Sequence, residues 1–214
     1  FLAAFLAATA ATWLVSRVVT RVGVLDRPNV RSSHAAPTPT AGGLGLIVGL
    51  WAGVGVAAVY GCEGGGEWRP FVVSSLILLV LVLDEIRPMG RLTKLAAQSA
   101  AAAVPLLYGL ALDRLQLPYV AEIERGVMAY PITFLWLVAV QNVFNFMDGI
   151  DGIAGLEAFL VAGLVYLVTR TQAPGFTAVP LACAGASAGF LVWNLPRARV
   201  FMGDVGSHLL GIVT

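Results

Sequence analysis

The stretch NFMDGIDGIAGLEA, Asn145 to Ala158, joins two segments that are apolar enough to sit in a bilayer. It places Asp148 and Asp151 three residues apart, each followed by glycine, where one apolar segment ends and the next begins. A poorly hydrated carboxylate at a membrane boundary is costly unless it is paired or bound to a cation. The fold therefore reads as membrane helices, and the loop between them as a place where acids are needed.

Composition extends that reading to the whole chain. Of 214 residues 58% are hydrophobic and only 12% charged, with a mean hydropathy of +0.86, outside the range of soluble globular domains. Apolar segments near 1–20, 41–60, 70–84, 94–110, 127–142, 153–170 and 177–193 approach the length that crosses about 30 Å of hydrocarbon, and 206–214 starts another. The expectation is one integral membrane domain over 1–214: an all-α, polytopic transmembrane helical bundle of seven spans and the start of an eighth. Phe1 in place of methionine, and Thr214 inside an apolar run, lead us to expect cuts at both ends and a longer eighth helix.

The joints alternate sides. Arg17, Arg21, Arg27, Arg31, Arg87, Arg91, Lys94, Arg197 and Arg199 gather on one face, against Arg69, Arg114, Arg125 and Arg170 on the other. The positive-inside rule then makes the first face cytoplasmic and puts the N-terminus outside, as for a multi-pass protein of the cell inner (plasma) membrane. A net charge of +1 excludes a broad nucleic-acid surface. Cys62 and Cys183 have neither the spacing of a zinc site nor the number of a disulfide framework. Gly45, Gly49 and Gly53, and again Gly185 and Gly189, form ladders of small residues at four-residue spacing, which predict close helix packing.

All the patterned polar stretches fall on the cytoplasmic side: DRPNVRSSHAAPTPTAGG (26–43), DEIRPMGRLTK (84–94), NVFNFMDGIDG (142–152) and NLPRARVFMGDVGS (194–207). Glu63, Glu67, Asp113, Glu122 and Glu124 lie in unpatterned, turn-rich joints on the other side and read as solvated. Asp84, Glu85, Asp148, Asp151 and Asp204 stand at helix ends, where single carboxylates commonly cap or pair. Five on one face suit Mg²⁺, which takes one or two carboxylates and fills its shell with water and phosphate oxygens. Gly149, Gly152 and Gly206 allow positive φ and close backbone approach, so nearby N–H groups are candidates to cradle phosphate. In the first loop the arginines, with His34 between prolines, suit an anionic head group or a nucleotide diphosphate. An EF-hand loop would need further oxygen ligands and a glutamate at its twelfth position in a soluble setting.

Four strings carry a resemblance over nearly the whole chain: RSSHAAPTPTAGG, LDEIRPMGRLTKLAAQ, NVFNFMDGIDGIAG and ARVFMGDVGSHLLG, in that order. They resemble the polyprenyl-phosphate N-acetylhexosamine-1-phosphate transferase family, which includes the phospho-N-acetylmuramoyl-pentapeptide transferases. The resemblance implies a Mg²⁺-dependent transfer, with Mn²⁺ as an acceptable substitute. In it undecaprenyl phosphate attacks the β-phosphate of a UDP-sugar, UMP leaves, and a lipid-linked glycan is begun for the cell wall or lipopolysaccharide. By motif it implies Asp204 as metal ligand with Asp148, and Asp84, Glu85, Asp148 and Asp151 as catalytic carboxylates. Asn145 and Phe201 would lie at the nucleotide, and His34 and Lys94 on the phosphate side. The implied partners are the UDP-sugar, undecaprenyl phosphate and the bilayer; a homodimer is compatible with this.

One departure stands out. The family usually shows adjacent aspartates in the second loop, where this chain has Asp84 and Glu85, and Glu85→Asp is accordingly expected to be tolerated. The CDP-alcohol phosphatidyltransferases also use membrane-face acids and Mg²⁺, but their Ala-Arg after Asp-Gly and their later aspartates are missing from DGIDGIAGLEAFL. An ion-coupled transporter is the alternative from another class. It would place ionisable groups near the bilayer midplane, whereas these helix interiors are almost free of charge.

Overall fold

A computed structural model describes residues 1–26, 37–61, 66–112, 114–117, 121–124, 126 and 128–214. His34, Arg27, Arg31, Cys62, Glu63, Asp113 and Arg125 lie outside the described residues. The chain is mostly helical: α1 (Leu2–Val22), α2 (Gly43–Val59), α3 (Arg69–Leu78), α4 (Val82–Ile86), α5 (Arg91–Leu107), α6 (Ala129–Met147), α7 (Ile153–Gln172), α8 (Ala178–Asn194) and α9 (Gly203–Val213). Each expected apolar segment is helical. The helical class is as expected, and two short antiparallel hairpins accompany the helices. In one, β1 (Leu25–Asp26) pairs with β2 (Thr38–Pro39); in the other, β3 (Arg114–Leu117) pairs with β4 (Ala121–Glu124). The second occupies the joint that reads as merely turn-rich.

A second difference concerns the third segment. Instead of one helix over 70–84, α3 gives way to a 3₁₀ turn at Leu79–Leu81 and resumes as α4. No Gly or Pro stands at the break; Leu78 and Leu81 are fully buried there. By length and composition four segments are able to cross a membrane: Leu2–Val22, Ala129–Met147, Ile153–Gln172 and Pro174–Asn194, with Gly43–Val59 apolar but shorter. Their outward faces suit lipid. On α7 they carry Leu156, Leu160, Leu164 and Leu167, all exposed. The chain is a multi-pass membrane protein.

In lipid, helices gain little from burying apolar surface, so close van der Waals contact and interhelical hydrogen bonds must hold them. The glycine ladders supply the contact. A Cβ at Gly49 would lie 2.6 Å from the Ala8 Cβ and 3.0 Å from the Ala186 Cβ, and one at Gly53 2.7 Å from the Ala182 Cβ. Gly189 meets the Phe5 carbonyl and Ala8 in the same manner. The main chains of α1, α2 and α8 thus pack as one frame, tied by the Trp193 indole N–H to the Thr9 carbonyl (2.9 Å). Around it, Ser74 of α3 donates to the Ala101 carbonyl of α5 (2.9 Å), and the Trp51 indole of α2 donates to Ser75 of α3 (3.0 Å).

The last helix sits innermost. Every residue of α9 from Val205 to Ile212 is buried. Gly206 rests on Gly43 of α2, and Gly211 on the main chain of α6 at Gln141. Gly206, expected among the candidate phosphate-cradling glycines, is a helix contact. The role follows from its place: a side chain there would separate α9 from α2.

The frame yields a contrast that can be measured. Gly49→Ala should cost about 1–3 kcal/mol by overpacking and lower the thermal unfolding midpoint in detergent. Gly55→Ala, with nothing within 4 Å of its added Cβ, should leave the midpoint unchanged or raise it slightly through helix propensity. Equal midpoints for the two variants would show that α1 and α8 yield freely.

Candidate active site

The four patterned loops meet at one end of the bundle. The first arrives through β2 and Thr40, the second through α4 and the first turn of α5, the third at the end of α6, and the fourth at the start of α9. They enclose a cavity of about 330 Å³ whose wall includes Asp26, Asp84, Glu85, Asp148 and Asp204, together with Thr40, Asn145, Gly149, Phe201 and Gly203. The first and fourth loops are joined by main-chain bonds, Phe201 N–H to Pro39 O (2.9 Å), Gly42 N–H to Phe201 O (2.9 Å) and Gly43 N–H to Met202 O (2.8 Å).

Asp204 is the hub. One carboxylate oxygen accepts from the Lys94 ammonium (2.8 Å), the other from the Asn145 amide (2.8 Å). Lys94 also pairs with Asp84 (2.5 Å), so one cation bridges two acids. Asp84 in turn accepts the Met89 N–H (2.5 Å) across the turn into α5. Asn145 reaches Ser207 as well (3.1 Å), and Ser207 donates to the Gly203 carbonyl (3.0 Å).

The start of α9 explains two more acids. A helix leaves its first N–H groups without internal partners, and α9 has no side-chain cap of its own. Asp148 accepts from Gly203 N–H (2.9 Å) and Met202 N–H (3.3 Å), while Glu85 accepts from Asp204 N–H (3.0 Å) and from the Thr40 hydroxyl (2.6 Å). Carboxylates from two other loops therefore cap the helix that bears Asp204, where the helix dipole also favours negative charge. Gly203 has φ +69°, and a Cβ there would collide with the Glu85 carboxylate, so both the backbone and the space demand glycine.

Burial and neighbours separate these acids electrostatically. Burial raises Asp148 well above the ordinary carboxylate value, against the pull of its two N–H donors. Glu85 is raised to about 6, mainly by burial, with the Thr40 hydrogen bond opposing and the Asp204 charge adding. Asp204 is also pushed up by burial, but hydrogen bonds from Lys94 and Asn145 prevail and its pKa is lowered. Of Asp148, Glu85 and Asp204, the acid that stays ionised most readily is Asp204.

Of the residues singled out by motif, Asp84, Glu85, Asn145, Asp148, Phe201 and Asp204 line the cavity, and Lys94 binds two of them. Asp151 stands apart: one oxygen accepts Ala198 N–H (3.1 Å), the other is buried with no partner among the described residues, and it does not line the cavity. The Gly152 N–H, expected among phosphate donors, goes to the Asn194 carbonyl oxygen (2.7 Å), while the Asn194 amide holds the Val200 carbonyl (2.9 Å). Gly152 does have the positive φ expected of it, +76°. Thr40, Gly203, Asn194 and Ser207 were not singled out by sequence. They lie inside the motif strings, but their roles depend on contacts between loops.

The donor set at the cavity suits Mg²⁺ without forming a closed cage for it. Among the described residues no three His, Cys, Asp or Glu side chains come together as a ready-made ligand cluster. A hard cation of this kind does not need one, because one or two carboxylates suffice when water and substrate phosphates complete the shell. Each carboxylate here keeps lone pairs beyond its present donors. Asp84 and Asp204 flank one ammonium in an otherwise acidic cavity, which fits the ion.

The chain is similar to known proteins over most of its length. Residues 68–214 match glycosyl transferase family 4. The chain is 32% identical to a probable undecaprenyl-phosphate N-acetylglucosaminyl 1-phosphate transferase of Bacillus subtilis, over 99% of this chain and 59% of that protein. It is 32% identical to a decaprenyl-phosphate N-acetylglucosaminephosphotransferase of Mycolicibacterium smegmatis, over 95% and 54%. With a phospho-N-acetylmuramoyl-pentapeptide-transferase of the same organism it shares 30%, over 84% and 63%. The chain thus spans a little over half the length of the relatives it matches, and none of this supports an ion-coupled transporter. On the family match and these identities, the chain belongs to glycosyl transferase family 4.

Proposed function

We propose that the protein transfers an N-acetylhexosamine 1-phosphate from a UDP-sugar to undecaprenyl phosphate, releasing UMP. The observation that carries this reading is the meeting of four loops around Asp204, Lys94 and Asp84 in an acidic cavity at one end of a membrane bundle. An oxygen of the lipid phosphate attacks the β-phosphorus, the bond from that phosphorus to the oxygen bridging the α- and β-phosphates breaks, and the bridging oxygen leaves on UMP. Phosphoryl transfer asks a protein for positioning and charge neutralisation more than for covalent work. Asp204 and Asp84 would hold Mg²⁺, which supplies charge neutralisation at the transferred phosphoryl group. Lys94 bridges these two acids and brings a positive charge to the phosphate side. Phe201 and Asn145 present the surfaces suited to the nucleotide, and Asp148 and Glu85 fix the helix that carries Asp204.

Sidedness belongs to the same proposal. The excess of arginine on the joints that form the cavity supports a cytoplasmic site, where a soluble nucleotide sugar would meet a lipid phosphate. The seven-span topology with the N-terminus outside is part of the same proposal, and the four helices long and apolar enough to cross are compatible with it. The relatives named for N-acetylglucosamine transfer support that sugar over the pentapeptide substrate. The deciding experiment measures UMP release from UDP-N-acetylglucosamine by the protein in nanodiscs containing undecaprenyl phosphate and Mg²⁺. No UMP from any UDP-sugar would overturn the reading.

Two substitutions probe the roles assigned. Asp204→Asn preserves volume but weakens the cation site, and turnover should fall at least about a hundredfold with the unfolding midpoint little changed. Wild-type turnover would move the metal elsewhere. For Glu85→Asp the structure revises the expectation of tolerance, because the shorter side chain cannot span both the Thr40 hydroxyl and the Asp204 N–H. Losing one hydrogen bond to a charged group predicts a loss of about tenfold in kcat. Full activity would show that a water or a shift of α4 restores the link.

A further inference from the structure

Polar side chains cross α5, α6 and α9 in two layers. The first is the one at the cavity: Lys94, Asn145 and Asp204. One helical turn further from the cavity the same three helices contribute Gln98, Asn142 and His208, four, three and four residues away in sequence. His208 Nε2 lies 2.9 Å from Gln98 Oε1, and its Nδ1 lies 2.6 Å from the main-chain oxygen of Asp204 itself. The Asn142 amide donates to the same Gln98 oxygen (3.3 Å). Gln98 and His208 are 5% and 4% exposed, so neither ring nor amide turns to water.

Buried polar groups cost stability unless they are hydrogen-bonded, and leucine would serve for packing alone, as Leu209 and Leu210 do beside His208. What a shared polar layer adds is register. A rotation of α9 by one residue, about 100°, would remove His208 from Gln98 and turn the Asp204 carboxylate away from Lys94 and Asn145 together. We propose that His208 and Gln98 are positioning residues, which lock the rotation and height of α9 against α5 and so place the Asp204 carboxylate between Lys94 and Asn145. Only the kinetic arm of its test rests on the transferase reading.

Lys94 is the sole lysine of the sequence, so amine acylation followed by mapping of the peptide that carries it reports on it directly. In the wild type Lys94 is held by two carboxylates and should react slowly. His208→Ala and Gln98→Met should each raise its acylation rate about tenfold, the release of one charge-assisted hydrogen bond. His208→Gln, which retains an N–H of similar reach toward Gln98, should restore the slow rate. In the transferase assay the same two variants should lose about tenfold to a hundredfold in kcat with KM for the nucleotide sugar unchanged. The double variant should be no worse than either single one, because both interrupt one network. Unchanged Lys94 acylation in folded His208→Ala, whatever its unfolding midpoint, would overturn the proposal, as would losses that add in the double variant. If the wild type releases no UMP, the transferase reading fails, and the acylation rates still decide whether His208 and Gln98 position Asp204.

Discussion

The capping of α9 by carboxylates from other loops is the interaction on which the rest of the site depends. Met202, Gly203 and Asp204 present N–H groups with no partner inside their own helix, and Asp148 and Glu85 accept all three. Those bonds join the third and second loops to the fourth, and Thr40 adds the first through Glu85. Because the capped residue is Asp204 itself, the network that satisfies the backbone also fixes the carboxylate that Lys94 and Asn145 contact. A buried acid without such donors would be costly in a membrane protein; here the need of a helix terminus for acceptors offsets that cost.

The frame makes this possible by leaving α9 little freedom. The contacts among α1, α2 and α8 are set by glycine and alanine, so their main chains lie close and the first loop is delivered directly to Phe201 and Met202. Gly43 and Gly206 carry the same device into the site, since their near-contact brings α9 against α2 at the point where both begin. Packing by small residues, which replaces the hydrophobic drive of a soluble core, is thus also what sets the separation of the loops.

Much of this was legible in sequence, and what was not has a common cause. The helices follow from apolar segments, the close packing from glycines at four-residue spacing, and the cavity acids from polar strings recurring on one predicted face. The break at Leu79–Leu81 left no mark, because three aliphatic residues read as continuous helix and only the packing of Leu78 and Leu81 shows otherwise. The β3–β4 hairpin joins residues with no alternating pattern strong enough to separate them from a turn-rich joint. Asp148, Glu85 and Asp204 look alike as acids at helix ends, yet two cap a third helix and the other is the hub. That distinction lies in contacts between loops far apart in sequence. It could not be read from one string at a time.

The use of cations follows the same logic. The single lysine of the chain stands between Asp84 and Asp204, while the other twelve Lys/Arg positions are all arginine. An ammonium is a compact point charge with three rotatable donors, so it can hold two carboxylates from different helices without imposing a planar geometry; a guanidinium would favour one carboxylate in a forked pair. Lys94 comes from the first turn of α5, one turn before Gln98, so the residue that bridges the acids and the residue that meets His208 share one helix face. Asp204 at the cavity therefore has its geometry set from α5 twice, once by charge at Lys94 and once by the contact of Gln98 with His208. The layer at Gln98 stands outside the ion pairs of Lys94 with Asp84 and Asp204, so its hold on α9 does not depend on them.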